Sequence, residues 1–250
     1  MTAASSSTAF RALEGASITN SSIAERVVLM CASALFSGLS EGECKEIASC
    51  SRARNFARDE ILFMQGQPAR HMVLLQSGSV KHTQVSSSGS EVILRMTGSG
   101  DPVCMPSESP SQQHTCSARA MEQCRSLVWE YSKLQSLLAE YPQIGRNINQ
   151  ILSNRLNELQ ERFREVATEK VAQRLALTLL RLVKQVGKPG HGGVEVSSSR
   201  EELAQMTGTT LFTVSRQLSK WAEEGFILPR REAVVVRDAG RLRQLSVAED

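Results

Sequence analysis

Arg200-Glu201-Glu202-Leu203-Ala204-Gln205-Met206-Thr207-Gly208-Thr209-Thr210-Leu211-Phe212-Thr213-Val214-Ser215-Arg216-Gln217-Leu218-Ser219-Lys220-Trp221 is the stretch on which the fold turns. Arg200 to Met206 reads as a first helix with Leu203 and Ala204 inward. Thr207-Gly208-Thr209-Thr210 makes a turn, and Leu211 to Glu224 a second helix with Val214, Leu218 and Trp221 inward. Two helices joined by a short turn that holds a glycine form the helix-turn-helix plan. Gly225, then Phe226-Ile227-Leu228, Pro229-Arg230-Arg231 and Ala233-Val234-Val235-Val236, follow as a small hairpin, which makes the unit a winged helix-turn-helix.

Towards the N-terminus, a helix from about Thr168 to Val186 carries Val171, Leu175, Leu179, Leu182 and Val186 on one face, and the loop Gly187 to Gly193 ends it. Before it, Ile148, Leu152, Leu156, Leu159, Phe163 and Val166 recur at spacings of 4, 4, 3, 4 and 3. That is an a/d seam for helix-helix contact, with Arg155, Glu158, Glu161, Arg162 and Glu165 on its flanks. Pro142 suits the first turn. A helix from there to Val166 would be roughly 37 Å long at about 1.5 Å per residue. That length outreaches a neighbouring domain, so the seam is expected to join two copies of the chain.

From Phe56 to about Val128 short apolar runs alternate with glycines. Ile61-Leu62-Phe63-Met64 precedes Gly66, Met72-Val73-Leu74-Leu75 precedes Gly78, and Val92 to Met96 precedes Gly98 and Gly100. Turn signals at roughly ten-residue intervals imply an antiparallel barrel or sandwich. Ser86-Ser87-Ser88-Gly89-Ser90 is a hairpin tip.

Composition sets the outer limits. The 250 residues are 41% hydrophobic and 22% charged, ordinary for a globular chain of one large or two modest domains. The longest nearly uninterrupted apolar run, Val27 to Phe36, is half of the ~20 residues that cross a bilayer. The N-terminal segment is rich in Ser, Thr and Ala without a basic start or an apolar run, and is expected to be a flexible tail rather than a secretory signal. The six cysteines include no C-x-x-C pair, so reduced thiols and a cytoplasmic location are expected. Residues 1–140 hold 12 Lys/Arg against 13 Asp/Glu, net −1, and residues 141–250 hold 17 against 13, net +4, so the basic half is C-terminal. The excess only points to where phosphate contacts would lie. Phosphate loops, H-E-x-x-H and a Ser-His-Asp constellation are missing, which argues against an enzyme.

In this order and spacing the motifs resemble the CRP/FNR superfamily of bacterial transcription regulators, over about residues 35 to 240. The strings are Phe56-x-Arg58-Asp59-Glu60-Ile61-Leu62-Phe63 with Gly66-Gln67-Pro68-Ala69, Leu74-Leu75-Gln76-Ser77-Gly78-Ser79-Val80-Lys81, Gly100-Asp101, a hinge near Ala167 to Lys170, and Thr213-Val214-Ser215-Arg216. The resemblance implies an α+β chain: a tail over 1–25, an antiparallel β-roll sensor domain (a cyclic-nucleotide-binding-like jelly roll) over 26–140, a long dimerisation helix over 141–167 and a winged helix-turn-helix over 168–250. It implies a homodimer bound to double-stranded DNA, with RNA polymerase as a partner if the protein activates. A ligand-binding module without DNA binding is the other class, and it would have no use for residues 197 to 237.

Arg216 matches the family's recognition-helix arginine, whose guanidinium suits the O6 and N7 of guanine. Thr209, Thr210, Thr213 and Ser215 are short hydroxyl donors for phosphates or bases, with Thr209 or Thr210 also suited to cap the helix. Arg200, Arg230 and Arg231 are placed for the DNA backbone. Phe212 departs from the pattern, because many members have there a glutamate that accepts from cytosine N4. A phenyl ring cannot accept that bond, but it can lie against a thymine methyl.

The sensor also departs. Cyclic-AMP-binding members hold the ribose with a glutamate and the phosphate with an arginine. Here Met105 stands at the glutamate position, and His114 or Cys116, depending on register, at the arginine position. Cys104, Met105, Ser107, His114, Thr115 and Cys116 are the candidate effector residues, and they leave a buried cyclic-AMP phosphate unpaired. Cys31, Cys44 and Cys50 are too far apart for the iron-sulfur motif of oxygen-sensing members. Carbon monoxide sensors have Cys-Met-His at this place. Cys104-Met105 followed by Pro106 keeps a haem- or redox-responsive gas sensor as an alternative, with Cys104 as axial thiolate and His82 or His114 opposite. The effector is left unidentified.

Overall fold

The computed structural model describes residues 22–105 and 113–247. The tail expected over 1–25 lies almost wholly outside them, as do Pro106 and Ser107. No described helix is long and apolar enough to cross a membrane.

The described chain falls into two compact units. One comprises the residues up to Gln84 together with Thr97–Arg155; the other comprises Val85–Met96 and the residues from Leu156 on.

The first unit opens with helices rather than strands. Ser22 caps α1 (Ile23–Ala32) by accepting from the Glu25 backbone N–H at 3.2 Å. A 3-10 turn (Ala34–Phe36) follows, and Ser40 and Glu43 form a capping box at the start of α2 (Glu41–Ser49). The apolar run Val27 to Phe36 is thus divided between a helix and a turn, with Val27, Met30, Leu35 and Phe36 buried. Eight strands follow, all in this unit except β5, which falls almost wholly in the other: β1 (Arg52–Phe56), β2 (Ile61–Phe63), β3 (His71–Ser77), β4 (Val80–Val85), β5 (Glu91–Thr97), β6 (Pro102–Cys104), β7 (Ser117–Ala120) and β8 (Cys124–Glu130). The strands of the first unit pair in the orders β1-β8-β3-β6 and β2-β7-β4. The paired strands are antiparallel. This is the expected roll. The glycine of the β3–β4 turn shows why that turn admits no side chain: Gly78 has φ +92°, and a Cβ there would lie 2.6 Å from Cys124 Sγ and 2.8 Å from the Gln123 carbonyl.

Two apolar clusters fill this unit. One lies between the helices and the first sheet, where Trp129 stands against Phe36 and donates from Nε1 to the Ile47 carbonyl at 2.9 Å. The other lies inside the roll and contains Phe56, Phe63, Val73, Leu75, Val80, Cys104 and Ala118. After α3 (Tyr131–Glu140), α4 (Pro142–Thr168) runs for 27 residues. Ile144 and Ile148 of α4 belong to the first cluster.

In the second unit α5 (Val171–Val186) is followed by β9 (Lys188–Gly190), β10 (Gly193–Val196), α6 (Arg200–Thr207), α7 (Leu211–Glu223), β11 (Ile227–Pro229), β12 (Val234–Val236) and α8 (Ala239–Val247). The sheet order is β11-β12-β10-β9. The Gly187 to Gly193 segment, read as a loop, is in fact the turn of a hairpin whose outer strand, Lys188–Gly190, is exposed at the sheet edge, where a proline is tolerated. Helix α8, which the sequence reading did not resolve, packs on α5 and buries Leu242.

Candidate nucleic-acid interface and sensor site

The turn between α6 and α7 is built from local chemistry. Ser199 and Glu202 form a capping box at the start of α6. Gly208 takes the left-handed conformation at its end, with φ 61° and ψ 44°. Thr210 is the N-cap of α7: its hydroxyl accepts from the Thr213 backbone N–H at 3.2 Å and lies 3.0 Å from Thr213 Oγ1. Val214, Leu218 and Trp221 are buried, and the Trp221 ring meets Phe226 with centroids 5.7 Å apart. The opposite face of α7 presents Phe212, 74% exposed, and Arg216, also exposed. Thr209, Thr213 and Ser215 are half-buried beside them. With no acidic residue in the first turn of α7, the positive end of the helix dipole is not neutralised there. Arg200 is half-buried at the first position of α6, Arg230 pairs with Glu195, and Arg231 is exposed.

The junction of α4 and α5 is held by arginines whose roles no local sequence pattern signals. Glu165, read from its heptad position as a flank residue of the seam, is buried. Both its carboxylate oxygens accept from Arg181, at 2.6 and 2.9 Å, and Arg181 also donates to Thr178 at 3.2 Å. Arg174 donates to the Thr207 carbonyl at 3.0 Å and to the Glu169 carbonyl at 2.9 Å. Arg162, another residue read as a flank, donates to the carbonyls of Ile93 and Leu94. These side chains border a cavity of about 230 Å³. The face of α4 that carries Leu152, Leu156, Leu159, Phe163 and Val166 is exposed, with Phe163 at 77%. Ile148, assigned to the same seam, is enclosed by its own unit.

In the roll, Cys104 is buried and its thiol donates to the His71 carbonyl at 3.0 Å. Ligation of haem iron by Cys104 would require breaking that bond and opening the cluster around it, so the residues present do not fit that role. Met105 packs against the first cluster. His114 stacks on Phe63, centroids 3.8 Å apart, and burial, with His71 nearby, pushes its imidazole down to about 4. His114 is therefore neutral near pH 7 and supplies no cation for a phosphate. Thr115 is exposed, and its carbonyl accepts from Gln84. Cys116 is half-buried with Sγ 3.8 Å from His82 Nδ1, while His82 Nε2 lies 2.9 Å from Thr97 Oγ1. A buried guanidinium escaped the sequence reading: Arg54 of β1 lies 4.3 Å over the Phe56 ring and 3.5 Å from Glu60. None of the six cysteines is in a disulfide, and no cluster of three metal-ligating side chains occurs among the described residues.

Residues 53–141 match the cyclic nucleotide-binding domain and residues 173–245 the Crp-like helix-turn-helix domain. The chain belongs to the CRP/FNR superfamily. Among CRP/FNR regulators, it is 29% identical to the cyclic AMP receptor protein of Thermus thermophilus over 214 residues, which cover 86% of this chain and 97% of that protein. It is 25% identical to the CRP-like cAMP-activated global transcriptional regulator of Mycobacterium tuberculosis over 210 residues, 83% of this chain and 94% of the other. The structure of FixK2 from Bradyrhizobium japonicum shares the CRP/FNR fold with a TM-score of 0.69 at 21% identity, covering 80% of this chain and 99% of that one. The protein is accordingly a CRP/FNR-type transcription regulator with a DNA-binding helix-turn-helix.

Proposed function

We propose that the protein is a cytoplasmic homodimer that binds a two-fold-symmetric DNA site through α7 and answers to an effector other than cyclic AMP. The observation that carries this reading is the exposed face at the start of α7, where Phe212 and Arg216 project beside the Thr210–Thr213 hydroxyl pair. A recognition helix reads base edges in the major groove with side chains near its N-terminus. Arg216 takes a guanine, Phe212 a thymine methyl, and Thr209, Thr210, Thr213, Ser215 and Arg200 hold phosphates or neighbouring bases. Arg230 and Arg231 reach the DNA backbone from the wing.

Dimerisation runs along Leu152, Leu156, Leu159, Phe163 and Val166, since an exposed apolar stripe of this length on one helix calls for a partner surface. In such a dimer the two half-sites lie about one helical turn, roughly 34 Å, apart. Where the regulator activates, RNA polymerase is its further partner. In the roll, neutral His114 and the Cys116 thiol stand where a cyclic-AMP phosphate needs a cation, which supports a different effector. Selection of sites from a random DNA pool tests the DNA reading: paired, inverted half-sites that each contain a guanine are expected, and no enrichment would overturn it. Calorimetry with cyclic AMP is expected to show no binding at micromolar concentration.

A further inference from the structure

The thiol of Cys116 faces an imidazole that is itself held by a hydroxyl. The register explains why. β4 and β7 pair His82 with Ala118, and both are buried on the inner face of the roll. Cys116 immediately precedes β7, and continuing the strand's alternation back from Ala118 puts it on the same face. It packs against the inner cluster, yet keeps part of its surface in contact with solvent. Its Sγ is 3.8 Å from His82 Nδ1, and His82 Nε2 is 2.9 Å from Thr97 Oγ1, with His82 and Thr97 each 1% exposed. A nucleophile, a base and a group that orients the base, in that order, form the arrangement that activates a nucleophile. Cys104 and Cys124, by contrast, direct their thiols at backbone carbonyls, which take no proton.

We propose that Cys116 is a modification site that reacts with hydroperoxides, with His82 as its base and Thr97 as the positioning residue. Nε2–H of His82 donates to Thr97 Oγ1, leaving the Nδ1 lone pair for the thiol proton. The thiolate attacks the terminal oxygen of the hydroperoxide, an S–O bond forms as the O–O bond breaks, and the departing alkoxide or hydroxide takes the proton back from the imidazolium. Cysteine and hydroperoxide thus give a sulfenic acid and an alcohol or water, with sulfur oxidised by two electrons and the peroxide bond reduced by two. The proposal does not depend on the DNA-binding reading, because its test is read at the sulfur atom.

The experiment treats the full chain with hydrogen peroxide and a cyclic 1,3-dione that traps sulfenic acids, then follows each cysteine by peptide mass spectrometry. Cys50 is exposed and serves as the reference thiol, while fully buried Cys44 reports whether the fold is intact. Labelling of Cys116 is expected at least tenfold faster than that of Cys50, falling to the Cys50 rate in His82→Phe and several-fold in Thr97→Val. If His82→Phe also exposes Cys44, Thr97→Val decides. Labelling of Cys116 no faster than Cys50 in the wild type, or unchanged in a folded variant of either residue, overturns the proposal.

Discussion

Arg181 grips both carboxylate oxygens of Glu165, at 2.6 and 2.9 Å, and the two ends of this pair are buried unequally: the Glu165 side chain is 6% exposed and that of Arg181 24%. The inequality sets which substitution costs more. Arg181→Met leaves a buried carboxylate without its cation and is expected to cost about 3 kcal/mol. Glu165→Gln leaves a guanidinium with some access to water, and roughly half that loss is expected. Replacing both, Glu165→Leu with Arg181→Met, should recover part of the stability, since neither charge of the pair is then left without the other. Urea denaturation of the three variants checks the order, and a double variant less stable than Arg181→Met would contradict it.

Along α4, neighbouring positions of one apolar repeat should answer differently to substitution. Leu159→Glu is expected to give folded monomers that no longer bind DNA, because Leu159 is exposed in the single chain and charge on that face opposes association. Ile148→Ala removes a side chain from the first unit's core and is expected to lower stability by about 3 kcal/mol. Sedimentation velocity paired with denaturation separates the two effects; a Leu159→Glu protein that stays dimeric would move the interface elsewhere.

At the start of α7 the exposed pair should divide the readout. Arg216→Ala is expected to cost about 1 to 3 kcal/mol of site affinity and relax the requirement for one guanine. Phe212 should accept or favour thymine at the neighbouring base pair, and Phe212→Glu should shift that preference to cytosine, whose amino group the new carboxylate accepts from. Random-pool selection with both proteins is the check. Identical half-sites with cytosine at that position would mean that Phe212 does not face the bases.

The placement of this helix was legible because its signals are local: Gly208, the Thr210 cap and the Val214, Leu218, Trp221 stripe all lie within fifteen residues. The caps of α1 and α2, Ser22 and the Ser40–Glu43 pair, are equally local signals, and they lie outside the strand texture that begins at Phe56. The Glu165–Arg181 pair was not legible. Helical periodicity says which face a residue occupies and not what covers that face, so Glu165 reads only as a flank of the seam. The Cys116–His82 contact was hidden for a related reason, since it depends on the β4–β7 register, which connects residues 34 apart.

His114 gives the protein a distinct response to acid. Its imidazole has an ordinary value of 6.5 and is held down to about 4 in the fold, so between these pH values the unfolded chain binds a proton that the native state refuses. Stability therefore falls as pH drops from about 6.5 towards 4, and this contribution is complete below that range. His71, depressed mainly by burial, adds in the same direction. His114→Phe keeps an aromatic ring against Phe63 and removes the titration. Its denaturation midpoint is expected to fall less between pH 6.5 and 4 than that of the wild type, and parallel curves would show that His114 does not titrate in this window.

The chain has two tryptophans, and each is enclosed in a different unit: Trp129 against Phe36 in the first and Trp221 against Phe226 in the second. Each unit therefore contains its own fluorophore. A Trp221→Phe protein emits only from the first unit and a Trp129→Phe protein only from the second, so the melting of each can be recorded separately without attaching a dye. Emission curves that coincide would mean one cooperative transition for the whole chain, and curves that part would rank the units by stability.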